Sequence, residues 1–179
     1  MAFDFFKKKK EEQPQLEDLV LSKLKPGFLV DYDMKTYRVT ACNHYEWEEG
    51  GVTDEWELQL GSESWFLERG EEDGEVAWSL SQKKPIFKLD GDIAGHIVEH
   101  EDPPEEVVFE GETFYVETDD IGEYFKGDAE EGMPFVVWDF SDEKSTKFLS
   151  IEQWGETKFD MTIGFPVEEY QFTNILPGE

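Results

Sequence analysis

Residues 148–167, FLSIEQWGETKFDMTIGFPV, alternate apolar and polar side chains on both sides of a short Gly-Glu-Thr turn. Alternation with a period of two is typical of β-strands that bury one face, and two such runs around a turn predict a hairpin. A weaker version of the same pattern, WFLERGEEDGEVAWSLSQKKPI, occupies residues 65–86. The two stretches predict that one β unit is present twice in the chain.

Other parts of the two halves match at constant offsets, as duplicated units do. One matching block pairs Glu55, Trp56, Leu67 and Glu68 with Asp139, Phe140, Ile151 and Glu152. We therefore predict a mainly β fold with two tandem related antiparallel β units, arranged like a sandwich or half-barrels, and a short N-terminal helix.

The expected boundaries follow from changes in the pattern. Leucine spacing predicts a helix over 16–26, ended by Pro26 and Gly27. An acidic segment with Pro103 and Pro104 predicts a stiff, exposed linker over 89–105. The divisions are a flexible apolar and basic head, 1–15; the helix, 16–26; the first β repeat, 27–88; the linker, 89–105; and the second β repeat, 106–179.

The charge balance restricts the partners. With 44 acidic and 16 basic residues, the net charge is −28, which argues against nucleic acid because phosphates would repel the chain. Cations, basic peptides and polyamines would be attracted. The single cysteine, Cys42, allows no intrachain disulfide. No apolar run is long enough to span a membrane, and the N-terminus lacks the order of a secretory signal, so we expect a cytoplasmic protein.

The head departs from this acidity. Aromatic residues are followed by lysines: Phe3, Phe5, Phe6, Lys7, Lys8, Lys9 and Lys10. Such a segment predicts weak, peripheral attachment to the inner face of an anionic membrane, or contact with a protein partner. The alternative is a frayed terminus whose lysines increase solubility.

Several motifs resemble a known family. They are ETFYV at 112–116, VWDF at 137–140, FLSIEQWG at 148–155 and GFPV at 164–167, with KPGFLV at 25–30, YRV at 37–39 and EWELQLGSESW at 55–65 in the first half. The chain resembles the bacterial domain-of-unknown-function family 4178 over about residues 24–175. The resemblance implies no catalytic residues. It implies, through the genes that accompany family members, an accessory role in a membrane-stress or polyamine-linked system.

Metal and hydrolase motifs are poorly supported by their context. His96, Glu99 and His100 match the H-x-x-E-H pattern of inverted zinc proteases, but the surrounding glycines and prolines disfavour the long helix that this chemistry needs. Cys42 and His44 with His96 and His100 form an alternative four-ligand set across the halves. Surface histidines explain the same residues, and we expect no cofactor.

Two pairs of residues are candidate binding residues. Glu68 and Glu152 occupy equivalent positions; they are either solvent-facing, or buried beside partners such as Arg38 or Arg69. Trp47 and Trp154 lie outside strict alternation and predict an exposed recognition patch. The sequence thus favours a non-enzymatic binding or adaptor module. The alternative is an acidic protein that binds a small cation, either a polyamine or a divalent metal.

Overall fold

Strands make up most of the computed structural model, which describes residues 19–178. The strands are β1 Leu29–Tyr32, β2 Lys35–Trp47, β3 Val52–Leu60, β4 Glu63–Glu72, β5 Glu75–Lys84, β6 Glu106–Phe109, β7 Glu112–Phe125, β8 Met133–Asp142, β9 Phe148–Gly155, β10 Lys158–Val167 and β11 Phe172–Leu176. One helix, α1 Ile93–His100, lies between β5 and β6 in this described part of the chain. The prediction of a mainly β fold is confirmed.

Eight strands form a closed antiparallel barrel. Its order is β2-β3-β4-β5-β10-β9-β8-β7, and pairing of His44–Trp47 in β2 with Gly122–Phe125 in β7 closes the ring. Strands β1 and β11 extend the sheet beside β2, and β6 extends it beside β7. Long strands permit this closure, because β2 and β7 pair with β1 and β6 at one end and with each other at the opposite end.

This barrel corrects the expected sandwich or pair of half-barrels. Each half does contribute a meander of five strands, β1–β5 and β6–β10, and the two meanders meet where β5 pairs with β10. The duplication of one unit stays a prediction.

The apolar faces of the strands point away from the barrel interior and form two separate cores. The first lies on the first meander and is covered by Leu21, Leu24, Phe28 and Phe172. The second lies on the second meander and is covered by Leu89, Ile93, Ile97, Val107 and Phe109. Because the apolar faces are used in this way, the opposite, more polar faces of the strands line the barrel, together with a smaller cluster of Tyr45, Phe135 and Val137.

A bulge in β2 decides which side chains enter the barrel. The register of β2 against β3 shifts between Val39 and Ala41. Val39 belongs to the first core, and beyond the bulge Cys42 packs on that core instead of Ala41. Asn43 and Tyr45 therefore face the interior, on the same side as Glu55.

Helix α1 corrects the predicted linker. Its N-cap is Asp92, whose side chain accepts from the Gly95 amide at 3.0 Å, and Ile93 and Ile97, one helical turn apart, are buried in the second core. The segment 89–105 is therefore a packed element as well as a connection. Residues that are four apart on a helix lie on the same face, so the burial of both isoleucines holds α1 against the second core.

The predicted N-terminal helix is also wrong in its described part. Residues 19–26 contain only a 3-10 turn, Leu21–Lys23, and Val20 before it is extended. This backbone lets both Leu21 and Leu24 reach the first core. The rest of that helix and the head, including Phe3–Lys10, lie outside the described residues. Within residues 19–178, no helix has the length and apolar character needed to cross a membrane.

Candidate functional site

A chamber inside the barrel, here called the acid chamber, collects side chains from six strands. It has a volume of about 100 Å³, and its walls include Tyr45, Trp47, Glu68, Asp139, Ser150 and Glu152. These residues come from β2, β4, β8 and β9, which are not all neighbours in the sheet, so the shared cavity identifies the polar face as the barrel interior. Glu55 adjoins the chamber, directly opposite Glu68 in the β3–β4 register.

Four acids lie in or beside the acid chamber: Glu55, Glu68, Asp139 and Glu152. Of these, Glu55 accepts the most hydrogen bonds. It is 3% exposed and accepts from Asn43 Nδ2 at 2.8 Å, from the Tyr45 hydroxyl at 2.9 Å and from the Tyr124 hydroxyl at 2.9 Å. Burial raises its pKa, and these hydrogen bonds oppose that rise. The three donors come from both sides of the β2–β7 seam, so Glu55 also ties the seam together.

Asp139 has one hydrogen bond. The Ser150 hydroxyl on the adjacent strand donates to Asp139 Oδ1 at 2.5 Å. Burial raises the pKa of Asp139, Ser150 opposes the rise, and the charge of Asp120 adds to it. Asp139 is therefore easier to protonate than a surface aspartate.

Glu152 and Glu68 accept no hydrogen bond from residues 19–178. Glu152 is 7% exposed, and burial raises its pKa to about 7 against the opposing field of Lys83. Glu68 lines the chamber and is only partly exposed, and burial raises its pKa well above its ordinary value. The charges of Glu55, Glu152 and Asp139 raise it further. A largely buried carboxyl without donors is costly when charged, so burial shifts both groups toward the acid form.

The arginines expected as partners lie elsewhere. Arg38 donates to the carbonyl of Gly27 at 3.1 Å, and Arg69 lies 3.5 Å from Glu71 and 4.0 Å from Asp54. The prediction that Arg38 or Arg69 would compensate buried glutamates is therefore wrong. Protonation takes the place of ion pairing, because a neutral carboxyl avoids most of the cost of burying a charge.

Both candidate tryptophans lie at the barrel interior. The Trp47 indole donates to Thr53 Oγ1 at 2.9 Å across the β2–β3 pair. Trp154 stacks on Phe135 with 4.8 Å between ring centroids and meets the edge of Tyr124 at 5.6 Å. The two rings are therefore packed in a small aromatic cluster around Tyr45, Phe135 and Val137, and do not form the exposed patch expected from the sequence.

The four proposed metal ligands are not brought together. The Cys42 thiol donates to the Leu24 carbonyl at 3.5 Å, and His44 stacks on Phe125 at 4.7 Å. His96 and His100 contact each other along α1, with 4.4 Å between ring centroids and the rings tilted by 50°. Among residues 19–178, no group of three or more His, Cys, Asp or Glu side chains is placed to hold a metal ion.

Sequence reasoning missed the groups that surround the acids. Asn43, Tyr45 and Tyr124 all donate to Glu55, and none was a candidate. Asn43 and Tyr45 lie in the second half of β2, beyond the bulge. A signal was present: Tyr45 and Trp47 are two residues apart and large, as expected for one buried face of a strand that runs on past the bulge.

Comparison with known proteins places the chain in a family without indicating an enzyme. A protein of Aquifex aeolicus (strain VF5) with the name "Uncharacterized protein" is 27% identical over 171 residues, covering 94% of this chain and 93% of that protein. No solved structure matches the chain. The family model described as "Domain of unknown function (DUF4178)" matches residues 25–169. The chain therefore belongs to that domain family.

Proposed function

We propose that the protein is a non-enzymatic binding module that holds a small organic cation, such as the terminal ammonium of a polyamine, in the acid chamber. The observation that supports this most directly is the environment of Glu152. This residue lines the chamber and is only 7% exposed, yet no described residue donates a hydrogen bond to its carboxyl group. A largely buried carboxyl that has no donor but keeps accessible oxygens can accept a hydrogen bond from a ligand in the chamber.

The chamber has the size and chemistry for an alkylammonium. Its 100 Å³ exceeds the space that one water molecule needs and admits the end of an alkyl chain. Glu68 and Glu152 provide acceptors, and the rings of Tyr45 and Trp47 on the wall attract cations through their faces. A divalent metal is less well accommodated, because the described residues offer no ligand group of three.

Cation binding to this chamber is coupled to proton release. The pKa of Glu152 is about 7, so near neutral pH about half of the Glu152 side chains carry a proton. An incoming ammonium favours the charged carboxylate and expels that proton. Affinity should therefore increase as the pH rises from 6 to 8, while the amine itself stays protonated.

Titration calorimetry with spermidine at low salt tests the proposal. We expect saturable binding that strengthens from pH 6 to pH 8, with a heat that depends on the buffer because protons are released. The variant Glu152→Gln should bind at least about tenfold more weakly, since it loses the charged acceptor.

The matched control is Glu156→Gln, which removes the same charge from the exposed turn after β9. The two variants have the same net charge, so any general attraction of spermidine to the acidic surface is equally strong in both. Equal affinities of the two variants, or no saturable heat from the unmodified protein, would reject the acid chamber as the site.

An adaptor role at the inner face of the cytoplasmic membrane is a second, separate proposal for the head. It is supported by Phe3–Lys10, the basic and aromatic run in a chain of net charge −28. Sedimentation with anionic vesicles, comparing the full chain with one that lacks residues 1–12, tests it. Equal partitioning of the two proteins would contradict membrane attachment.

A further inference from the structure

A second cavity lies near the end of the barrel where β7 connects to β8 and β9 connects to β10. It has a volume of about 360 Å³, and we call it the lysine mouth after Lys126 and Lys158 in its wall; Tyr124, Met133, Pro134 and Trp154 also line it. Along β9 and β10, Trp154 and Asp160 border the mouth, whereas Glu152 and Thr162 border the acid chamber. Two residues of a strand span about 7 Å, so the cavities lie at successive levels of the barrel.

The acids at the lysine mouth already have partners. Asp160 is paired with Lys83 at 3.4 Å, and Glu57 accepts from Asn43 Nδ2 at 3.3 Å. Lys126 and Lys158 form no ion pair with any residue in 19–178. Two lysines without carboxylate partners in one cavity are unexpected in a chain with 44 acids and 16 bases.

Trp154 supplies an independent observation. Its indole Nε1 is buried and has no hydrogen-bond acceptor within the described residues. A buried donor that lacks an acceptor is costly, and such a group calls for a partner. Among the residues that line the mouth, the polar groups without a partner are two exposed ammoniums and one enclosed indole N–H, and all three are donors.

We propose that the lysine mouth binds the carboxylate of a small organic acid. The carboxylate takes the position between the lysines and Trp154, and the apolar part of the ligand rests on Met133 and Pro134, of which Met133 is 47% exposed. A single negative charge fits this protein better than a phosphate does, because the whole molecule at −28 repels a dianion more strongly than a monoanion. This site does not depend on cation binding in the acid chamber.

The indole N–H resonance of Trp154 gives a local readout. It is assigned by its loss in Trp154→Phe and followed while the full-length protein is titrated with sodium benzoate at constant ionic strength. We expect a saturable shift, because a carboxylate that accepts from the indole changes the shielding of its proton. Inorganic phosphate should bind more weakly than benzoate.

Two double variants separate the mouth from the overall charge. Lys126→Gln with Lys158→Gln should weaken benzoate binding at least about tenfold, because hydrogen bonds to charged groups are lost. Lys25→Gln with Lys88→Gln removes the same charge from exposed positions and should leave binding unchanged. Both lysine pairs lie on the surface, so neither change threatens the cores.

Three results would overturn the proposal: no saturable shift of the Trp154 resonance, equal weakening in the two double variants, or tighter binding of phosphate than of benzoate. Glu152→Gln should bind benzoate normally. The two proposals can therefore be tested separately. If spermidine does not bind the acid chamber, the prediction that benzoate binds the lysine mouth is unaffected.

Discussion

Two kinds of carboxyl occur in this protein, and their surroundings give them opposite behaviour. Asp142 accepts from the Lys147 amide at 2.8 Å, from the Thr146 hydroxyl at 2.7 Å and from the Thr146 amide at 2.6 Å, and these bonds lower its pKa. Glu152 has no donor, and burial raises its pKa to about 7. Asp142 thus stabilises the fold as a charged group, whereas the charge on Glu152 opposes folding.

We predict that Glu152→Gln stabilises the protein in alkaline solution. Glu152 has a pKa of about 7 in the folded state, whereas its ordinary pKa is 4.5. Between pH 4.5 and pH 7 the folded state therefore binds more protons than the unfolded state. Stability therefore falls as the pH rises through this window, and by pH 8 the cost is about 3 kcal/mol. Urea unfolding at pH 8 should show most of this gain, and at pH 5 little of it.

Glu156→Gln is again the control, since its exposed side chain changes the net charge equally. It should shift the urea midpoint only slightly at either pH. A gain from Glu152→Gln that is as large at pH 5 as at pH 8 would show that the glutamate is not buried as a titrating group.

At the scale of elements, closure of the barrel depends on a close approach at the β2–β7 seam. Gly122 lies opposite Trp47 in the register. A Cβ at position 122 would come within 2.8 Å of the Glu46 carbonyl oxygen and 3.1 Å of the Trp47 ring. A side chain at position 122 would therefore force the backbone of β2 to move, so only glycine lets β2 and β7 pair here without distortion.

We predict that Gly122→Ala opens this seam and costs about 1–3 kcal/mol in the free energy of unfolding, as overpacking does. Gly155→Ala is the matched control, because a Cβ there meets nothing within 4 Å and the backbone is not left-handed. Hydrogen exchange should quicken at the amides of His44–Trp47 in the first variant only. Unchanged exchange and stability in Gly122→Ala would contradict the seam as the closing contact.

The seam also explains what the sequence could and could not reveal. Alternation predicts the strands of both meanders, because Trp56 and Leu58 are buried apolar residues with polar residues on either side of them in the sequence, which leaves a local pattern. Closure joins strands far apart in sequence and leaves no such pattern, so Glu68 and Glu152 could be either exposed or buried. Helix α1 did have local signals, the Asp92 cap and the Ile93–Ile97 spacing, but nearby glycines and prolines obscured them.

For the whole molecule, the arrangement places the apolar cores outside the barrel and the acids inside it. The first core rests against the N-terminal turn and β11, and the second rests against α1 and β6. Burial of these cores offsets the cost of enclosing Glu55, Glu68, Asp139 and Glu152. Enclosing these acids therefore reduces the stability that the two cores provide.

This balance predicts an acidic optimum of stability. The interior acids have raised pKa values, so their unfavourable contribution grows as the pH rises above about 4.5. Asp31, Glu63 and Asp142 have lowered values, so their favourable contribution is lost as the pH falls below about 4. The two limbs place the highest Tm near pH 5.

Scanning calorimetry from pH 4 to 9 in about 0.5 M NaCl measures this optimum, because salt screens repulsion between surface charges much more than between buried ones. From pH 5 to pH 8, we expect Tm to fall by about 5–10 °C, given the size of the chain. The variant Glu68→Gln with Glu152→Gln should flatten the alkaline limb and leave the acid limb unchanged, since Asp31, Glu63 and Asp142 remain. A Tm that continues to rise up to pH 8 would mean that surface groups, and not the acid chamber, govern the stability of the protein.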